Sequence, residues 1–151
     1  MYRTAGGAVD AADVIIDAVF GFSFHGRLPS VMEPLLARAA ANKKAFHISV
    51  DIPSGAVCDT GAVEGACFKA ALTVTFTAMK PAAVVYPAAG FGGLTVVRQV
   101  GITEEHLEML PCDTESVLLG NICPLFPKRD PEGHKGTYGR LLMICGSVGM
   151  A

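Results

Sequence analysis

Charge is scarce in these 151 residues: Asp, Glu, Lys and Arg together make up 17% of them, and the net charge is -2. The basic residues are scattered and form no stripe, which argues against a nucleic-acid partner. The five cysteines, Cys58, Cys67, Cys112, Cys123 and Cys145, contain no CxxC pair and no Cys/His ligand spacing. Neither zinc nor a disulfide frame is expected, and the thiols read as reduced and cytosolic. Residues 1–13 lack the apolar core of a secretory leader. The most apolar long window, residues 82–97, is broken by Pro87, Gly90, Gly92 and Gly93. It falls short of the ~20 residues of a membrane span. No repeat or low-complexity segment is present. A cytoplasmic location with no membrane partner is the expectation.

Apolar material is plentiful, at 51% of the chain, so a packed core is expected rather than disorder. Residues 13–20 form a short apolar run closed by Gly21, the pattern of a parallel strand buried on both faces. A glycine-bearing loop follows, then a helix from about Ser30, with Ser30 and Glu33 spaced as a capping box and Pro34 near the first turn. Residues 45–50 read as the next strand, ending in a loop at Asp51-Ile52-Pro53-Ser54-Gly55. Strand, helix and strand make a βαβ unit, normally right-handed. Residues 72–77 and 94–97 read as two further strands. Short helical stretches are expected near 82–86 and 103–110. A new unit is expected to open near Pro127, with a strand at 140–145.

Ligands of open α/β sheets bind beyond the carboxyl ends of the strands. Two such ends carry acids and small polar residues: Asp17 with its following loop, and Asp51 with Ser54. If the two strands are neighbours, the loops share one rim. Glycines let a ligand approach the backbone closely, and N–H groups opening a helix suit phosphate. A buried Asp17 needs a partner. A cation is one solution, and an oxygen-only set with the Ser54 hydroxyl suits a hard cation rather than zinc. Local readings stand beside these. Asp17 can cap a neighbouring element, and Ser54-Gly55 can be an ordinary turn. His25 can be a solvated loop residue rather than a base, His47 a packed histidine, and Lys80-Pro81 plain loop.

The motifs are similar to a known family. Asp17-Ala18-Val19-Phe20-Gly21-Phe22-Ser23, Asp51-Ile52-Pro53-Ser54-Gly55 with Asp59-Thr60-Gly61, and Thr73-Val74-Thr75-Phe76 with Lys80-Pro81 resemble, in the same order, three segments of NAD(P)HX epimerases, the YjeF N-terminal domain. The resemblance covers roughly residues 13–103. It implies a three-layer Rossmann-like α/β fold with a parallel sheet. It implies isomerase activity in nicotinamide-nucleotide repair: interconversion of the R and S epimers of hydrated NADH or NADPH. It implies a potassium ion on Asp17 and Ser54, and substrate binding by Gly21, Phe22, Ser23, Phe24, His25, Gly26 and Arg27, with Asp51 contacting the substrate. Asp17 and Asp51 are the two acid–base candidates.

Arg129, His134-Lys135-Gly136-Thr137-Tyr138-Gly139-Arg140, Ile144-Cys145-Gly146-Ser147 and Met150 resemble the opening of the ADP/ATP-dependent NAD(P)HX dehydratase, a lyase of ribokinase-like fold. The expected division is thus residues 1–110 as the C-terminal half of the epimerase domain, 111–126 as linker and 127–151 as the start of the dehydratase domain. ADP or ATP would serve that second domain. The family's asparagine-, glycine- and aspartate-rich loop is not found in residues 1–12. The nucleotide motifs of the second domain are absent too. The chain is therefore expected to be the incomplete interior of a bifunctional enzyme, with weak or no activity alone and homo-oligomerisation of the full-length protein left open. A non-catalytic nucleotide-binding module and a ribokinase-like small-molecule kinase are the alternatives.

Overall fold

Four short strands, β1 (Val14–Asp17), β2 (Phe46–Val50), β3 (Leu72–Phe76) and β4 (Leu94–Arg98), pair in parallel in the order β1-β2-β3-β4. The computed structural model describes residues 2–111, 114–126, 128–147 and 149. The α-helices among the described residues are α1 (Tyr2–Ala11), α2 (Glu33–Ala41), α3 (Ala89–Gly92), α4 (Glu104–Glu108) and α5 (Leu119–Ile122). The chain divides into two compact units, the first ending at Leu110 and the second beginning at Pro111.

The strand order explains which face of the sheet is covered. Parallel crossovers are right-handed, so strands laid down in sequence without reversal send every connection over one face. Ile15, Leu36, Ala39, Phe68 and Val9 pack together on that face. Along β1 to β3 the residues pointing the same way, Asp17, Ser49, Thr73 and Thr75, are buried. The other face carries Val14, Ile16, Phe46 and Leu94, each at least half exposed. The expectation of strands buried on both faces is corrected: among the described residues nothing covers the apolar face of Val14, Ile16, Phe46 and Leu94, in keeping with the expectation of an incomplete three-layer sheet.

Several local expectations change. No helix is read from the sequence before residue 13, where Gly6-Gly7 lowers helix propensity, but residues 2–11 form α1 by tertiary support. Asn42 at the end of α2 donates from its amide to the Val9 carbonyl at 2.8 Å and the Ala12 carbonyl at 3.0 Å. The same side chain accepts the N–H groups of Lys44 and Ala45 at 3.2 Å each, and Arg38 pairs with Asp10. The Ser30/Glu33 capping box does not form. Residues Ser30–Met32 make a 3₁₀ turn without a side-chain cap, and α2 starts at Glu33 with Pro34 in its first turn. Glu33 instead accepts from Arg27 at 3.0 Å. The helical stretch read near 82–86 is a 3₁₀ turn at Pro81–Ala83.

The second unit holds α5 and a 3₁₀ turn, Cys123–Leu125. The expected strand at 140–145 is not formed, and Leu141, Leu142, Met143 and Ile144 are exposed. An apolar run becomes a strand only when another strand satisfies its backbone, and this run finds none among the described residues. Pro127 and Met150, which carry part of the second-unit reading, lie outside the described residues. No helix of the described residues is long and apolar enough to cross a membrane.

Candidate functional site

β1 and β2 are neighbours with Asp17 paired to Ser49, so the two acid-bearing strand ends share one rim. Asp17 closes β1 and is 5% exposed. Its Oδ1 accepts the Ser54 hydroxyl at 2.5 Å, and its Oδ2 accepts the Ser54 N–H at 2.7 Å. Ser54 Oγ in turn accepts the Phe20 N–H at 3.1 Å. The turn after β2 is thereby clamped to the loop after β1. Asp17 thus satisfies a neighbouring element, as one reading held, and its Oδ1 also accepts the Val19 N–H of its own loop at 3.5 Å.

Burial pushes the Asp17 pKa up from its ordinary 3.8, outweighing the Ser54 hydrogen bonds. An acid whose folded pKa is raised binds its proton more tightly in the native state than in the unfolded one. Its contribution to stability is therefore largest at low pH, and is lost as pH rises from 3.8 through the folded value. Urea unfolding of the wild type and of Asp17→Asn, in potassium-free buffer across pH 4–8, tests this. The wild type should lose stability relative to the variant as pH rises; a gap that moves the other way would mean that the native fold favours the carboxylate.

Asp51 sits just past β2 with φ 71°, a conformation rare outside glycine and tolerated best by Asp and Asn. Its N–H donates to the Val74 carbonyl at 2.8 Å. Its Oδ2 accepts the Phe22 N–H at 3.1 Å, and its Oδ1 accepts the Thr75 hydroxyl at 3.2 Å and Lys80 Nζ at 2.9 Å. Burial alone would raise this pKa, but the Lys80 ammonium, the Thr75 hydroxyl and the Phe22 N–H hold it below the ordinary value. The rim thus carries two carboxylates perturbed in opposite directions. Lys80 and Thr75 were missed as site residues, because the Lys80-Pro81 dipeptide alone reads as loop. The signal was the third resembling segment, in which both residues lie.

The residues of the loop after β1 separate into different surroundings. Gly21 leaves room for Asp51: a Cβ there would stand 3.2 Å from its Oδ2. Phe22 lends its N–H to Asp51 and exposes its ring, while Ser23 and His25 are exposed. Phe24 is a core residue, packed near Phe20, and its N–H donates to the Gly21 carbonyl. Gly26 takes φ 74°. Arg27 is held at the surface by Glu33. Among the described residues, the N–H groups of Ser23, His25, Gly26 and Arg27 have no protein acceptor. The loop runs into a 3₁₀ turn rather than a helix start, so these N–H groups, and not a helix N-terminus, are what a phosphate would meet. His47 is a packed residue, with Nε2 2.9 Å from the Ala39 carbonyl and its ring edge-on to Phe68.

The oxygens around Asp17 are of the type a hard cation takes, though the described residues hold no cluster of three His, Cys, Asp or Glu side chains that could bind a metal. No Lys or Arg of the described residues pairs with Asp17. Ser49, its neighbour in register, has a fully buried Oγ without a hydrogen-bond partner. Carboxylate and hydroxyl oxygens suit an alkali or alkaline-earth ion, and an orphaned buried oxygen beside them is the group such an ion would satisfy.

Comparison with known proteins agrees with the motifs. The model of the YjeF-related protein N-terminus family matches residues 3–82, beginning ahead of residue 13, where the motif resemblance was placed. The chain is 35% identical over 138 residues to the bifunctional NAD(P)H-hydrate repair enzyme Nnr of Coxiella burnetii, covering 91% of this chain and 28% of that protein. It is 40% identical over 141 residues to the enzyme of that name from Methanothermobacter thermautotrophicus, covering 90% and 24%. The chain spans about a quarter of the length of these relatives. A solved yeast structure, ynu0, aligns with TM-score 0.45 at 22% identity, over 87% of this chain and 46% of that one.

Proposed function

The chain belongs to the YjeF-related protein N-terminus family, and on that premise we propose that its β1–β2 rim is one wall of a site that epimerises hydrated nicotinamide coenzymes. The observation that carries this reading is the pair of rim carboxylates with opposed environments. Inverting a carbinol-type carbon needs proton transfer at oxygen or ring, and a positioned carboxylate supplies it. Asp51 is ionised and adjoins a cleft, so it is the group that meets the substrate. Asp17 lies deeper, where Ser54 and Ser49 accompany it. A potassium ion held by Asp17 and Ser54 would supply fixed positive charge that offsets the burial of the carboxylate. The free N–H groups of Ser23, His25, Gly26 and Arg27 would take the substrate's phosphates.

The second unit is read as the opening of the partner dehydratase, which in the longer relatives would return NAD(P)H with ADP or ATP. Both comparisons with curated relatives support this. An alignment of 138 residues in a chain of 151 must extend beyond Leu110.

A segment swap tests the proposal. A full-length relative carrying residues 14–103 of this chain in place of its own should keep interconverting the NADHX epimers. Replacing potassium by an organic cation at constant ionic strength should slow it, and Ser54→Ala in the swapped segment should weaken that dependence. A folded but inactive swap would overturn the assignment, whereas an active one indifferent to potassium would remove only the ion.

A further inference from the structure

A cleft of about 420 Å³ adjoins the carboxyl ends of β2 and β3. Phe22, Phe76, Ala78 and Ile102 give it apolar walls, and Asp51 and Lys80 are its charged lining. The two charged side chains are 11% and 18% exposed. Polar groups so withdrawn from water must find their partners in the protein or in a ligand.

Their hydrogen-bonding capacity can be counted. An ammonium has three donors and a carboxylate about four acceptor positions. Lys80 gives one donor to Asp51 Oδ1 and one to the Phe76 carbonyl, leaving one. Asp51 Oδ1 takes Lys80 and Thr75, and Oδ2 takes the Phe22 N–H, leaving one position on Oδ2. One unspent donor beside one unspent acceptor is the complement of a primary amide, whose carbonyl accepts and whose NH₂ donates. A carboxylic acid would bring a second negative charge to Asp51, and a methyl ketone would leave Oδ2 unpaired. The Phe22 ring is 69% exposed, apolar surface that a flat ring in the cleft would cover. Asp51 and Thr77, both non-glycine residues with positive φ, both line this cleft. Backbone strain of that kind clusters at active sites and ligand clamps.

We propose that Asp51 and Lys80 together read the carboxamide of a nicotinamide-type ring seated in this cleft, with Lys80 the specificity-determining residue. The inference rests on the reading above that the substrate is a hydrated nicotinamide coenzyme. It adds which groups distinguish that ring from an analogue without the amide.

The test is the binding of NADH and of its 3-acetylpyridine analogue, in which methyl replaces NH₂, to this chain. The amide should bind roughly tenfold tighter, as expected for one hydrogen bond to a charged acceptor. Lys80→Met should weaken both ligands by roughly tenfold, and Lys80→Arg should restore part of the loss. Equal affinities for the two ligands, or no binding of either, would overturn the inference, as would an unchanged affinity in a folded Lys80→Met. Should that variant not fold, the ratio of the two ligands in the wild type decides. Epimerisation by the segment-swapped relative separates this inference from the functional reading. Turnover with equal affinities sinks the inference alone, and amide preference without turnover sinks the reading alone.

Discussion

Asp51→Asn in the segment-swapped relative is expected to lower kcat/KM for NADHX epimerisation by roughly tenfold or more, the size of a lost hydrogen bond to a charged acceptor. The substitution is chosen to isolate charge. Asn keeps the volume, tolerates the φ of 71° at this position, and retains an oxygen to accept the Phe22 N–H. What it removes is the negative charge that Lys80 pairs with at 2.9 Å, and with it the charged acceptor that faces the substrate. Ala would confuse the result, because a Cβ-bearing residue without a side-chain acceptor is strained at positive φ. A full rate with Asn would show that Asp51 only positions the loop after β1. A denaturation curve run beside the kinetics shows whether the variant remains folded.

Gly55→Ala is expected to cost about 3 kcal/mol or more of stability, combining a left-handed backbone with overpacking. Gly55 takes φ 103°, and an added Cβ would stand 2.4 Å from the Ala66 carbonyl oxygen and 3.0 Å from Cys67 Cα. Both are backbone atoms, so no side-chain rotation relieves the clash. The turn would have to open, and the next residue back is Ser54, which holds Asp17 through both its N–H and its hydroxyl. Gly26→Ala is the control. Gly26 has φ 74° with nothing within 4 Å of an added Cβ, so it should lose only about 1 kcal/mol. Urea midpoints of the two variants check the contrast; equal losses would show that the close approach of the 66–67 backbone to Gly55 is not what requires glycine.

Both outcomes depend on contacts between segments distant in sequence. The order of motifs was legible: Asp17 and Asp51 each follow an apolar run, and such runs end at the ligand rim of a parallel sheet. The helix start was not legible. Ser30 and Glu33 have the spacing of a capping box, but Ser30 opens a 3₁₀ turn, the α-helix begins at Glu33, and the Glu33 carboxylate pairs with Arg27. α1 was not legible either. Its glycines speak against a helix, and its support comes from Asn42 and Arg38 on α2. Phe24 stands among the loop residues taken for substrate binding, yet its ring belongs to the core. Residues 140–145 have a strand's composition without a sheet to join.

By itself the sequence determined the parallel α/β class, the family and the two carboxylates of the rim. These rest on hydrophobic period and on short contiguous motifs, which are local properties of the chain. Only the tertiary structure decided the surroundings of each carboxylate. Asp17 is buried against Ser54, and Asp51 is held ionised by Lys80, a residue 29 positions away that reads as loop. Protonation and hydrogen-bonding capacity are set by desolvation and by charges within a few ångströms, and that proximity exists only once β1, β2 and β3 lie side by side.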